Sequence, residues 1–262
     1  MTTPRIYKTE AIVLRQRKLG EAGKIVTLYT PNYGKLDAVA KGVRRPKSRL
    51  GGHLEVLTHT AVMLAQGRNL DVVTQAQTVE SFAPLRADLH RLSRALYAAE
   101  LVDRFSPEGG ESYQVFQLLL ATLRRLATAR NVDTVLRHLE MQLLTLTGFQ
   151  PQLGRCVNCE QALAPAPSFF SPAAGGVLCP PCGPKVAGSR PLSVNALKVM
   201  RLLQRGSFAE ASRVKMGSTL AQEVEMHLRA YLIHVLERDV RSAAFIDRLR
   251  REGMWEPAEV SS

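Results

Sequence analysis

The chain has 262 residues, 45% of them hydrophobic, and its formal net charge is +12. This composition provides enough apolar side chains for folded cores and excludes a wholly disordered chain. Charges interrupt the N-terminus every few residues, and no apolar run approaches the roughly 18 residues of a membrane helix, so we expect a cytoplasmic protein without a secretory signal or a membrane span.

The positive charge is concentrated near the N-terminus. Residues 1–80 contain 13 lysines and arginines but only 6 acidic residues. Such a surplus favours polyanionic partners, namely DNA, RNA or anionic lipid. Its regional distribution argues against the alternative, a soluble basic protein whose charges are only solvated.

Residues 5–80 have the alternating pattern of β-strands. Segments such as KIVTLYT and GKLDAVAKG are rich in β-branched or alternating apolar residues, and turn sequences such as TPNYGK separate them. Two later apolar segments flank GRN at 67–69, which indicates a hairpin. Five short strands without a clear helix predict a small barrel, and the OB-fold is such a barrel that commonly binds single-stranded nucleic acid.

The most cationic stretch of this region is KGVRRPKSRLGG, from Lys41 to Gly52. Pro46 disfavours helix at the preceding residue, so we expect an extended loop or a strand end rather than a helix for a major groove. Flexible cations on a loop contact phosphates, which hold nucleic acid without reading its sequence. The candidates in the loop are Lys41, Arg44, Arg45, Lys47 and Arg49, and weaker candidates are Lys35, Arg15, Arg17 and Lys18.

Aromatic residues are scarce in the same region, where only Tyr7, Tyr29 and Tyr33 occur. Barrels that bind single strands tightly stack several bases on aromatic rings, and each contact contributes about 1–3 kcal/mol. We therefore expect binding that is mainly electrostatic, depends strongly on salt and leaves the base edges free to pair. Two alternatives stay open for the loop: it solubilises the protein, or it contacts an acidic protein surface.

From Pro84 onward the apolar residues recur at helical spacing, for example at Leu85, Leu89 and Leu92. Gly148 is placed to end the last helix of this region, and Ser193 is placed to cap a helix that begins the next one. A long amphipathic helix, in LAQEVEMHLRAYLIHVLERDV, follows. We expect these helices to pack as one domain, which the segment 151–190 interrupts.

All four cysteines lie in that interrupting segment, with the spacing Cys156-x2-Cys159 and Cys179-x2-Cys182. Two such knuckles are typical of a tetrahedral structural zinc site, and the alternatives are a redox pair or disulfides. Four thiolates fill the coordination shell, so the metal would fold the segment and not activate water. The sequence SFFSPAAGGVLC predicts a hairpin before the second knuckle, with Phe169 and Phe170 as its core. The alternative is that these two rings stack on bases.

No motif of a known catalytic centre occurs in the sequence. It contains no GxxxxGK[ST] loop, no GxGxxG after a strand and no GxSxG elbow, and its six histidines form no HExxH or HxH cluster. We therefore expect that the protein is not an enzyme. An unrecognised enzyme that acts on nucleic acid is the alternative.

The stretch from Gly20 to Leu57, with AKGVRRPKSRLGGHLE its most specific part, resembles the RecO family of bacterial recombination mediators. TPNYGK, the helices that begin near AELVDRF and the GRCVNC…GGVLCPPC insertion extend the resemblance over nearly all of the chain. The predicted fold is α+β and multidomain. Its parts are a five-stranded OB-fold barrel (1–81), an α-helical domain (82–150 and 191–250), an inserted four-cysteine zinc ribbon (151–190) with one structural Zn²⁺, and a C-terminal tail (251–262).

The resemblance also implies a role in recombinational repair of DNA. Members of this family bind single- and double-stranded DNA, anneal complementary strands and work with RecR. They help the recombinase RecA replace the single-strand binding protein (SSB), whose acidic tail would need an apolar groove edged with cations. Carried over to this chain, DNA contacts would fall on the loop cations, and the protein would associate with the nucleoid. The alternative is an interaction adaptor whose basic loop docks an acidic protein partner.

Overall fold

The computed structural model describes residues 6–110, 113–237 and 241–252. The described chain forms two compact units, one from residues up to 129 together with the segment from 241, and one from residues 130–240. The domain boundaries predicted at residues 81, 150 and 190 follow local sequence pattern and stay a prediction. Of the predicted tail, residues 253–262 lie outside the described residues.

Among the described residues, eight strands and eight α-helices build these units. The first unit contains β1–β5, α1–α3 and α8, and the second contains α4–α7 and β6–β8. In chain order they are β1 (Ile6–Leu19), β2 (Gly23–Thr30), β3 (Gly34–Ala40), β4 (His59–Ala65), β5 (Asp71–Glu80), α1 (Ala83–Ala87), α2 (Leu89–Phe105), α3 (Tyr113–Thr128), α4 (Val132–Leu146), β6 (Ser168–Ser171), β7 (Gly176–Leu178), β8 (Arg190–Leu192), α5 (Val194–Arg205), α6 (Phe208–Ser212), α7 (Ser218–Leu236) and α8 (Arg241–Arg251).

The first five strands close into a barrel in the order β1-β2-β3-β5-β4. β3 and β5 pair in parallel, and the other neighbours pair antiparallel. Every second residue faces the interior, as the pleat of a strand requires, so Val26 and Leu28 of β2 are buried against Ala38 and Ala40 of β3. The predicted five-stranded barrel and hairpin are confirmed.

Two predicted helix ends are also confirmed. Gly148 follows α4 with φ of +83°. Its N–H bonds the carbonyl of Thr145 at 3.3 Å, and the N–H of Phe149 bonds that of Leu144 at 2.8 Å, which satisfies two carbonyls at the helix end. At the start of α5, the Ser193 hydroxyl accepts the N–H of Ala196 at 3.1 Å.

In the second unit, β6 and β7 form the predicted hairpin, and β8 pairs with β6 on its other edge. Phe170 is buried beside Tyr231 of α7, with ring centroids 5.7 Å apart. This contact holds the hairpin on the helices of its own unit. Among the described residues, no helix combines the length and the apolar character that crossing a bilayer requires.

At Gly34, the first residue of β3, the barrel packs closely on the segment after α2. The φ of Gly34 is +59°, and a Cβ there would overlap the carbonyl oxygens of Gly109 and Gly110. Gly20 has a similar φ of +56° but no atom near its Cβ position, so it is a matched control. We expect Gly34→Ala to lower the free energy of unfolding by at least about 2 kcal/mol, and Gly20→Ala by about 1 kcal/mol. Equal losses in thermal or urea unfolding would contradict the close approach.

Candidate nucleic-acid interface and metal centre

The cationic loop, residues 41–50, follows β3 and precedes β4, and its third residue, Val43, is buried in the barrel core. The loop makes two consecutive turns. The N–H of Arg45 bonds the carbonyl of Gly42 at 3.1 Å, and the N–H of Ser48 bonds that of Arg45 at 2.9 Å. The prediction of an extended loop is therefore wrong, because the buried Val43 and these hydrogen bonds fold the segment back on the barrel.

All five cations of the cationic loop are exposed. None of them forms an ion pair with a carboxylate anywhere in the described ranges. Arg44 additionally ties the loop to the turn between β1 and β2, because its guanidinium donates to the carbonyl of Glu21 at 2.9 Å and its backbone N–H to that of Ala22 at 3.0 Å. OB-folds use this turn to bind oligonucleotides, so the uncompensated cations lie beside a position suited to a nucleic-acid strand.

An irregularity in β1 decides where two further candidates lie. Val13 faces the barrel core, and strict alternation would send Arg15 and Arg17 inward as well. The register with β2 shifts between Val13 and Arg15, which turns both arginines outward. They are 54% and 58% exposed, and they pair with Asp103 at 3.1 Å and with Asp37 at 2.8 Å. Each therefore offers a positive charge that an acid already partly compensates.

Lys35 lies differently from the other candidates. Its side chain is only 14% exposed, and its Nζ contacts the Asp103 carboxylate at 3.2 Å and the Asp103 carbonyl at 2.5 Å. This geometry favours a structural role that joins β3 to α2. Lys18, in contrast, is exposed and has no ion pair within the described part of the chain. The nine candidates thus comprise six exposed cations without a counter-ion, two exposed but paired arginines and one mostly buried lysine.

Replacing Lys35 distinguishes a structural role of this lysine from a role in DNA binding. We expect Lys35→Met to lower the free energy of unfolding by about 1–3 kcal/mol, because it leaves half-buried oxygens of Asp103 with fewer partners. The same variant should bind a dT oligonucleotide within about twofold of the unchanged protein, since a buried cation contributes little to phosphate binding. Fluorescence anisotropy and urea unfolding measure the two quantities. A large loss of affinity with unchanged stability would instead make Lys35 a DNA contact.

The three tyrosines of the barrel offer little surface for stacking. Tyr29 is buried, and its hydroxyl lies 3.3 Å from that of Ser106. Tyr7 is half-buried and donates its hydroxyl hydrogen bond to Asp71. Burial and this acid raise the pKa of Tyr7 well above its ordinary value. Tyr33, 43% exposed, packs on Tyr7 with ring centroids 4.7 Å apart. The barrel therefore presents one exposed ring, Tyr33, with the half-buried ring of Tyr7 packed against it.

The four cysteines of the second unit converge at one point. Their sulfur atoms all lie within 4.8 Å of one another, and Cys159 and Cys179 are 3.7 Å apart. That spacing is far too long for a disulfide. It matches the edge of about 3.8 Å that four sulfurs form around a zinc ion at about 2.3 Å. The residues present therefore fit a tetrahedral metal ion with four sulfur ligands.

Hydrogen bonds from nearby N–H groups prepare this site for anionic sulfur. The N–H of Cys179 donates to Cys156 at 3.3 Å, and the side chain of Asn158 donates to Cys182 at the same distance. Burial alone would raise the pKa of the Cys156 thiol, but backbone N–H groups lower it to about 6. Burial and the neighbouring Cys182 raise the pKa of Cys179 to about 12. Closely spaced thiolates repel one another, so a bound metal cation would favour deprotonation of all four cysteines.

Two features of the knuckles have no simple sequence signal. Glu160 follows the first knuckle with φ of +59°, a conformation usually taken by glycine. Gly183 follows the second, and a Cβ there would overlap the ring of Phe169, which packs against the cysteine cluster.

The sequence also did not identify Asp103 as the partner of Arg15 and Lys35. A lone acidic residue within a helix gives no sign of its distant partners.

Comparisons with known proteins agree over most of the chain. The family model described as Recombination protein O N terminal matches residues 1–82, and that described as Recombination protein O C terminal matches residues 86–244. The chain is 44% identical to the DNA repair protein RecO of Roseiflexus sp. (strain RS-1), over 94% of this chain and 87% of the relative. It is 40% identical to the DNA repair protein RecO of Dehalococcoides mccartyi (strain CBDB1), over 95% and 98%.

Proposed function

The chain belongs to the RecO family of DNA repair proteins, and on this basis we propose that it is a non-enzymatic mediator of recombinational repair. In this proposal it binds single- and double-stranded DNA largely through phosphates and anneals complementary strands at the nucleoid, in the cytoplasm. The observation that carries the proposal is the cationic loop, whose five cations are exposed and uncompensated on a barrel with little exposed aromatic surface.

The physical step that such a protein assists is the encounter of two like-charged strands. Phosphate repulsion opposes this encounter, and salt screens it only beyond about 10 Å at 0.1 M. Exposed arginines and lysines bound to one backbone lower that repulsion for the second. Because the barrel has few rings on which bases stack, the bound strand keeps its base edges free to pair with its complement.

We propose that Cys156, Cys159, Cys179 and Cys182 hold one zinc ion. The ion would supply four bonds that join the two knuckles, and with no open position it would have a structural role. Support comes from the convergence of the four sulfurs and from the N–H donors that favour thiolates.

RecR, SSB and, indirectly, RecA are the proposed partners. The protein would bind the SSB tail and, together with RecR, assist RecA in displacing SSB from single-stranded DNA. This is tested by the rate at which RecA forms filaments on SSB-coated DNA with both proteins, with each alone and with neither. The mediator role would be contradicted if the rate of RecA filament formation stayed the same with either protein alone and with both together.

The annealing activity is tested with the purified protein alone and two complementary oligonucleotides, one labelled with a donor and the other with an acceptor dye. We expect accelerated duplex formation, with both strands chemically intact afterwards. No acceleration would favour the adaptor, whose loop binds an acidic protein surface. Shortened or modified strands after incubation with Mg²⁺ or Zn²⁺ would instead show an enzyme.

A further inference from the structure

The C-terminal helix α8 carries a second cationic surface in the unit that contains the barrel. Its inner side is an apolar stripe of Ala243, Ile246 and Leu249, all buried, and it packs on α2. Glu100 of α2 fixes its start, because one carboxylate oxygen accepts both the N–H of Ser242 at 2.7 Å and the Ser242 hydroxyl at 2.5 Å. The inner side of α8 is therefore fully used in holding the helix.

The outer side of α8 has a different composition. Phe245 is 37% exposed there, and Arg248 and Arg251 follow it at intervals of three residues. Residues three apart are neighbours on a helix surface. Neither Arg248 nor Arg251 forms an ion pair with any residue that the structure describes. One exposed ring and two guanidinium groups without an ion pair thus form a row along α8, which we call the α8 row.

Helix α2 connects the α8 row to the barrel. Asp103 contacts Arg15 and Lys35 of the barrel, and Glu100, three residues earlier on the same helix, holds the start of α8. From Ser242 to Arg248 is roughly 9 Å along the axis of α8, at about 1.5 Å per residue. The α8 row therefore belongs to the same compact unit as the barrel cations.

We propose that the α8 row binds a second strand of nucleic acid while the cationic loop binds the first. Phe245 stacks on a base, and Arg248 and Arg251 bind neighbouring phosphates. Every nucleotide of a single strand offers a base for stacking and a phosphate for an arginine, and the α8 row can make both contacts. An acidic peptide would leave the ring without a planar partner. The inference rests on the proposed function and extends it, because two strands held on one chain meet without a collision of two protein–DNA complexes.

The test counts bound strands on the full-length protein. A labelled dT oligonucleotide, too short to span both surfaces, is titrated at low salt, and the strands bound per chain are measured by sedimentation. We expect two strands for the unchanged protein and one for Arg248→Glu/Arg251→Glu, with an annealing rate at least about tenfold lower. Phe245→Ala should weaken the second binding step about tenfold, since one stacked base is lost. One strand per chain in the unchanged protein would overturn the inference.

Two further variants keep the outcome decisive. Arg248→Gln/Arg251→Gln removes the same two cations but keeps the apolar stripe and adds no negative charge to the helix end. If the glutamate pair detaches α8 from α2, the number of strands that this glutamine variant binds tests the inference instead. Arg213→Glu/Lys215→Glu makes the same change of charge at exposed positions of the second unit and should still bind two strands. If the α8 variants bind and anneal normally while loop variants fail, the inference is wrong and the proposed function stands. If neither set alters DNA binding, both are wrong.

Discussion

Cys156→Ala is expected to abolish metal binding and the folded structure of residues 153–185. The buried apolar cluster of this segment consists of Cys156, Cys182 and Leu178, so two of its three members are also proposed metal ligands. Losing one ligand removes most of the metal's affinity, and apparent zinc binding contributes about 10–16 kcal/mol to the folding of comparable small modules. Elemental analysis should give about one zinc per chain before the change and none after it. Limited proteolysis should then cleave within 153–185.

Asn158→Ala is the matched control for this prediction. It removes one hydrogen bond to the sulfur of Cys182 but no ligand. We expect it to retain zinc in the purified protein with an affinity about 10–100-fold lower, as for other groups that orient metal ligands. A metal-free unchanged protein, with four titratable thiols and a protease-resistant module, would contradict the metal assignment.

Arg45→Glu/Lys47→Glu is expected to weaken binding of single-stranded DNA, relative to the unchanged protein, and to do so at least about 25 times more at 0.1 M salt than at 1 M salt. Each lost phosphate contact reduces the slope of log affinity against log salt by about 0.7 for single strands, so two contacts reduce it by about 1.4. Both residues are exposed and without a counter-ion among the described residues, so their replacement spares the fold. Arg44 is left in place because it also holds the turn at Glu21. Fluorescence anisotropy over a salt series measures the slope.

The control for the loop variant is again Arg213→Glu/Lys215→Glu, which changes the net charge by the same amount in the second unit. It should lower affinity only slightly and leave the salt slope unchanged, because charges that contact no phosphate do not contribute to the slope. If both variants weaken binding equally, net charge and not the cationic loop is responsible. An unchanged slope for the loop variant would sink the assignment of these two residues.

The elements that the sequence predicted well are those whose signals are local. Strand alternation, the turn at GRN, the cap at Ser193 and the glycine at position 148 each act through a few neighbouring residues. The spacing of the four cysteines likewise predicted a cluster that the structure confirms. Leu89 shows the limit of periodicity. It fits the apolar pattern but is exposed, because Asp88 caps α2 immediately before it.

What the sequence left open depends on distant contacts. The pairing of Asp103 with Arg15 and Lys35 joins residues that are far apart along the chain. The register shift in β1, which turns Arg15 and Arg17 outward, arises from pairing with β2. The amphipathic pattern of α8 identifies its buried side but not the unit on which that side packs. Each of these features decides which cations are exposed and unpaired, so the sequence predicts the type of the proposed interface but not its individual residues.

The central claim is that uncompensated cations bring two strands together through their phosphates while the bases stay free. The most direct test is the annealing rate of complementary oligonucleotides with the pure protein at a series of salt concentrations. We predict acceleration that declines steadily with the logarithm of salt, and a weaker decline for Arg45→Glu/Lys47→Glu. Acceleration that is independent of salt, or equal in that variant, would contradict the account.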